Sequence, residues 1–120
     1  MRDLDCPPEL RAAALAALDA CGIDDGHLSV VLVEEDEIRT INREHRGIDQ
    51  PTDVLSFPVD GLGAVAGPRE LGDVVICAQH SKDLEEAVVH GVLHLAGHDH
   101  ETDAGEMLSL QDDVMRRLRK

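Results

Sequence analysis

Four of the chain's seven histidines stand within eleven consecutive residues, His90-Gly91-Val92-Leu93-His94-Leu95-Ala96-Gly97-His98-Asp99-His100. On a helix, His90 and His94 are one turn apart, offset by roughly 40° around the axis and about 6 Å along it. Both imidazoles then leave the same face, which lets two rings share one metal ion. Gly97 predicts the helix end, because glycine accepts the left-handed conformation that a helix stop requires. Beyond that turn either His98 or His100 can return to the same point. Three imidazoles leave one position of a tetrahedral zinc open to water, the arrangement of a catalytic site and not of a closed structural one.

His90, His94, Gly97 and His100 have the offsets of the metzincin peptidase pattern, with its helix, glycine turn and third histidine. A peptidase of that kind needs glutamate directly after the first histidine as general base, and here that position is Gly91. The metal cage is retained and the proton-handling group of a peptidase is absent. The bland alternative, a buried helix carrying histidines on a polar seam, fits one histidine better than three at these offsets.

The elements that must position these groups follow from pattern. At 120 residues and 42% apolar content the chain reads as one globular domain, residues 1–120, with a single modest core. Phe57 is its only aromatic residue, so the core is built from Val, Leu, Ile and Ala. No run approaches the ~20 apolar residues of a membrane span, and the N-terminus lacks the basic and apolar regions of a secretory signal. Cys6, Cys21 and Cys77 are odd in number and widely separated, which predicts reduced thiols in a cytoplasmic protein.

Pro7, Pro8 and Glu9 are expected to open a first helix, closed by Gly22. His27 precedes a buried strand over Leu28–Val33 and reads as a surface residue at its end. Asp36 is the expected N-cap of a second helix carrying Ile38, Ile41 and His45 on one face and ended by Gly47. Arg46, in its last turn, either compensates the helix dipole or reaches a ligand from the entrance to the next loop. Asp53–Pro58 and Leu71–Cys77 read as two more strands, separated by a glycine-rich mobile loop. Ser56 either lines a site or faces water. Asp73 is either a turn former or a residue behind the metal ligands. A nearly all-apolar helix beginning at Ser81 or Asp83 carries the histidines and is expected to be the central one. A last helix is expected to start with Asp103-x-x-Glu106 as a capping box. Its basic end, Arg116 to Lys120, reads as a complement to the helix dipole or as an RNA contact. The fold class is therefore α/β (α+β): a small mixed sheet of about three to four strands packed with about four helices, one of them a zincin-like metal helix.

The formal charge of −14 opposes general attraction to nucleic acid. An RNA contact would have to be local, made by a metal and a few arginines within an acidic shell.

Four segments together resemble the YbeY family of endoribonucleases, the rRNA maturation factors: Ile41–Gly47, Pro51–Pro58, Leu71–Cys77 and His90–His100. The resemblance implies a compact α/β protein with one zinc ion per chain held by His90, His94 and His100, and it marks Arg46 as the functionally important arginine. It implies cleavage of single-stranded RNA in maturation of the 3′ end of small-subunit rRNA and in ribosome quality control. The implied partners are an rRNA precursor and the small ribosomal subunit or its assembly factors, with no DNA and no membrane. The family usually begins with an extra strand, for which Met1–Cys6 is barely long enough. It usually has a longer helical segment before the metal helix, and tyrosine in place of His98. Two other classes share the cage: a peptidase-like zinc hydrolase lacking its glutamate base, and a non-catalytic ribosome-assembly factor in which zinc only holds the final turn.

Overall fold

The computed structural model describes residues 2–59, 69–98 and 104–119. Within them the chain runs β1 (Arg2–Asp5), α1 (Arg11–Ala20), β2 (Gly26–Val33), α2 (Glu35–Arg46), β3 (Val54–Pro58), β4 (Glu70–Cys77), α3 (Leu84–Leu95) and α4 (Glu106–Leu118). The four strands form one mixed sheet in the order β1-β2-β4-β3. β1 and β4 both run parallel to β2, and β3 closes one edge antiparallel to β4. Parallel neighbours cannot be joined by a hairpin, so α1 carries the crossover from β1 to β2.

The sheet separates two apolar clusters. Leu28, Val30, Val74 and Ile76 face α1, α3 and α4, where Leu18, Val88, Val92, Leu93 and Met107 complete the larger core. Val75, Cys77 and Leu55 point the other way and pack with Ile38 of α2. Alternation on β4 thus sends Asp73 to the α2 face, where it is exposed. It belongs neither to a turn nor to the surroundings of the histidine helix, contrary to both readings from sequence. Residues Met1–Cys6, barely long enough for a strand, do supply one: β1 pairs with β2 from Arg2↔Gly26 to Asp5↔Ser29.

Several helix starts differ from expectation. The Pro7-Pro8-Glu9 stretch makes a 3-10 turn over Pro8–Leu10, and the α-helix proper starts at Arg11. Glu34, not Asp36, occupies the N-cap of α2. The first helical N–H, that of Glu35, donates to Gln79 Oε1 at 2.8 Å, so a distant side chain replaces the local cap. At α4 the N-cap is Gly105, and Glu106 accepts from the Ala104 N–H instead of acting as the third residue of a capping box; Asp103 lies outside the described residues, as does most of the glycine-rich loop before β4. His27 is not a free surface residue: its ring is 2.8 Å from Glu70 on the neighbouring strand, and that hydrogen bond raises its pKa.

α3 is anchored at both ends. Asp83 is its N-cap and accepts from the Glu86 N–H at 3.2 Å. Asp83 also accepts from Arg119, just beyond α4, at 2.5 Å. The Arg119 guanidinium is the main cause holding the Asp83 carboxyl below the usual carboxylate range, against the opposing effect of burial. The basic C-terminal end is therefore partly committed within the molecule, since Arg116 pairs with Asp113 as well. Asp83→Ala is expected to cost about 0.5–2 kcal/mol of stability, with Asp83→Asn retaining most of the cap. Because the folded-state pKa is lowered, this stabilisation is present above the unfolded value of about 3.9 and is lost as pH falls through the lower folded value. Urea denaturation of wild type and Asp83→Ala from neutral to acid pH should show the gap between them closing on the acid side.

Candidate metal centre and cleft

α3 is buried almost all round, including Ala87, Val88, Val89, Val92 and Leu93. Its accessible positions include the seam Glu86, His90 and His94, each four residues from the next and therefore in line along the axis. His90 and His94 are half-buried, with Nε2 atoms 3.2 Å apart and rings inclined at 77°. Two nitrogens each ~2.0–2.1 Å from one tetrahedral zinc would stand ~3.3 Å apart. His90 Nδ1 is 2.8 Å from Gln111 Oε1 on α4. An amide oxygen can only accept, so Nδ1 carries the proton and Nε2 presents its lone pair to the site. That is the tautomer a metal requires, fixed by a partner behind the ring.

The seam faces this way because of Gly91. A Cβ there would lie 2.5 Å from Val74 Cγ1 and 3.2 Å from both Ser56 Oγ and Val54 Cγ2. The Gly91 carbonyl accepts from Ser56 Oγ at 2.9 Å. The glycine thus serves close packing of α3 on the sheet, and a glutamate base at this position would meet the wall formed by β3 and β4. Ser56 resolves into a cleft-lining residue that also bonds the helix.

Past Leu95 the chain makes the turn that Gly97 predicts. Gly97 has φ of 96°; its N–H donates to the His94 carbonyl at 3.0 Å, and the His98 N–H donates to that of Leu93 at 3.1 Å. This pair of bonds is the Schellman motif. Among the described residues no third histidine, cysteine or carboxylate joins His90 and His94 in a group able to hold a metal. His98 is described and does not join them; His100 lies outside the described residues.

The histidines open onto a cleft of about 370 Å³, lined also by Arg46, Thr52, Asp53, Ser56 and Pro58. α2 packs on the opposite sheet face from α3, yet Arg46 reaches the cleft because β3 is the sheet edge and leaves a way round it. Gly47 ends α2 in the left-handed region at φ 72°. The following loop is tied back by Asn42 Nδ2 donating to Gln50 O at 2.9 Å and by Arg39 to Asp49 at 2.9 Å. The Arg39 hydrogen bond holds the Asp49 carboxyl below its ordinary range. Arg43 is also near Asp49, at 3.8 Å. Arg46 is exposed, and among the described residues no carboxylate lies within ion-pair distance of it. Three arginines share α2, and among the described residues only the one in the cleft has no carboxylate within ion-pair distance.

Gln111 is the site residue that sequence reading missed. Its signal was its place between Met107 and Val114 on the inward face of α4, a polar side chain where an apolar one is expected. Gly91→Ala should destabilise the protein by about 1–3 kcal/mol through overpacking, outweighing the ~1 kcal/mol that alanine gains over glycine in a helix. Chemical denaturation reads the sign directly.

A family model described as Endoribonuclease YbeY matches residues 9–119. Similar curated proteins carry the name Endoribonuclease YbeY. That of Persephonella marina is 38% identical, the match covering 92% of this chain and 82% of that protein. That of Anaeromyxobacter dehalogenans is 43% identical over 89% of this chain, which spans only 62% of that longer protein. That of Rubrobacter xylanophilus is 48% identical over 78% of this chain and 69% of that one. The solution structure of TM1509 from Thermotoga maritima aligns with a TM-score of 0.57 at 27% identity, covering 98% of this chain and 89% of that one.

Proposed function

The chain belongs to the endoribonuclease YbeY family, and from that premise we propose that it is a metal-dependent endoribonuclease that cuts single-stranded RNA in the cleft between α3, β3 and the end of α2. The observation that carries the metal reading is the 3.2 Å separation of the His90 and His94 Nε2 atoms, with the His90 tautomer set by Gln111. The ligand set we propose is His90, His94 and His100, with zinc favoured because imidazoles in a tetrahedral arrangement suit it. When bound, the metal supplies Lewis-acid polarisation of a phosphoryl oxygen and lowers the pKa of water toward ~7. Arg46 holds the phosphate: its planar guanidinium can engage two phosphate oxygens at once. No intramolecular carboxylate among the described residues competes for it. Gln111 keeps His90 oriented, and Ser56 ties the helix to the edge strand.

The substrate we assign is an rRNA precursor at the 3′ end of the small-subunit RNA, met in the cytoplasm with the small ribosomal subunit or its assembly factors. Among the described residues no helix is long and apolar enough to cross a membrane. We read residues 1–120 as a single domain. The acidic charge of −14 makes general attraction to RNA weak, so the burden falls on the few cations in the cleft.

Purified protein should contain close to one zinc per chain by elemental analysis. His94→Ala and His100→Ala should lose it and His98→Ala should keep most of it; loss from His98→Ala with retention in His100→Ala would reassign the third ligand. Gln111→Leu, which preserves volume, should weaken metal affinity by roughly 10- to 100-fold in a chelator competition.

Arg46→Ala should keep its metal and its Tm while losing most RNA cleavage, and Arg46→Lys should recover part of it. A residue that only compensates the helix dipole would instead cost about 0.3–1 kcal/mol of stability and leave cleavage normal. Metal content, Tm and cleavage rate measured on the same Arg46→Ala sample separate the two.

A further inference from the structure

The cleft does not end at His90. A second groove of about 390 Å³ continues past it, lined by Ser81, Lys82, Glu86, Leu108 and Gln111, and Asp53 and His90 border both spaces. The connection from β4 to α3, a 3-10 turn over Ala78–His80 followed by Ser81-Lys82-Asp83, forms one wall of this groove. Most charged groups around it are already engaged. His80 is 3.0 Å from Glu35, Asp83 is held by Arg119, and Asp53 Oδ1 accepts from the Val54 N–H at 2.8 Å. Lys82 differs: it is exposed, and among the described residues no carboxylate lies within ion-pair distance of it. Leu108 leaves apolar surface open at the rim, 47% exposed, beside buried Ala87.

We infer that this groove seats the stretch of the RNA strand on the far side of the cut phosphate from Arg46, with Lys82 contacting a backbone phosphate and Leu108 packing against a base. The inference rests on the proposed RNA-cleaving function of the adjoining cleft. The volume lies in the ~300–1,000 Å³ range of pockets that bury a small molecule, enough for about one nucleotide. A single strand suits the path, because its unstacked bases offer flat faces to apolar side chains while its phosphates follow cations. The strand would run along the accessible seam of α3, passing His94 and His90 and then Glu86. Glu86 opposes it there, as a carboxylate one helical turn beyond His90 in the same groove.

The opposite signs of Lys82 and Glu86 give the test. Binding of fluorescein-labelled 2′-O-methyl dinucleotide and octanucleotide, probes lacking the 2′-OH, is followed by anisotropy across a salt series with the metal-loaded protein. Lys82→Ala should weaken octanucleotide binding by roughly tenfold and flatten the slope of log K against log salt by ~0.7, the value for one single-strand phosphate contact. It should leave dinucleotide binding unchanged. Glu86→Gln should tighten octanucleotide binding. Arg117→Ala removes the same charge from α4 in a separate depression with Ala16 and Asp19, and should change neither the length dependence nor the slope. Equal behaviour of Lys82→Ala and Arg117→Ala on both probes would overturn the inference. Cleavage of unmodified RNA is scored separately with wild type and His94→Ala: a wild type that binds but never cuts would sink the proposed function while the binding series still decides the groove.

Discussion

The closeness of α3 to the sheet is the constraint on which the site depends. At Gly91 the helix approaches β3 and β4 so nearly that even a methyl group would collide with Val74. That contact fixes the rotation of the helix. With Val88, Val92 and Leu93 directed into the core, the remaining seam at Glu86, His90 and His94 must face the open edge of the sheet. Ser56 then locks the depth by donating to the Gly91 carbonyl. A helix bearing any side chain at this position would have to stand off or turn, and both imidazoles would move with it.

The ends of the helix are held as firmly as its middle. Asp83 caps the first turn and is itself gripped by Arg119. Two backbone bonds close the last turn at Gly97. Between them Gln111 reaches from α4 to His90. The donor geometry is therefore set by four elements before any ligand arrives. Preorganisation of this kind matters because a misplaced ligand costs metal affinity and reaction geometry together.

Charge is distributed to the same end. The protein carries a formal −14, a poor general surface for RNA. Its cations are mostly consumed by nearby acids: Arg39 by Asp49, Arg119 by Asp83, Arg116 by Asp113. Among the described residues, the cations lining the cleft and its continuation with no carboxylate within ion-pair distance are Arg46 and Lys82. An acidic shell with isolated cations disfavours nonspecific attraction to RNA and leaves binding to local contacts.

The four-residue histidine spacing, the stop at Gly97, the short apolar runs of the three longer strands and the buried character of α3 were all legible from the residue order. They are local properties, set by helical and strand periodicity and by the conformational freedom of one glycine. So was the presence of Arg46 at a helix end beside a loop. The role of Gly91 was not: the sequence presents a missing glutamate, whereas the sheet presents a wall. Nor was the place of Asp73, because strand alternation assigns a face only once β4 is fitted between β2 and β3. Gln111 behind His90 and the joining of Arg46 to the histidines around an edge strand bring together residues 21 and more apart in sequence. Periodicity within one element decides which residues share a face; only packing between elements decides what that face meets, because it depends on distances that no single segment contains.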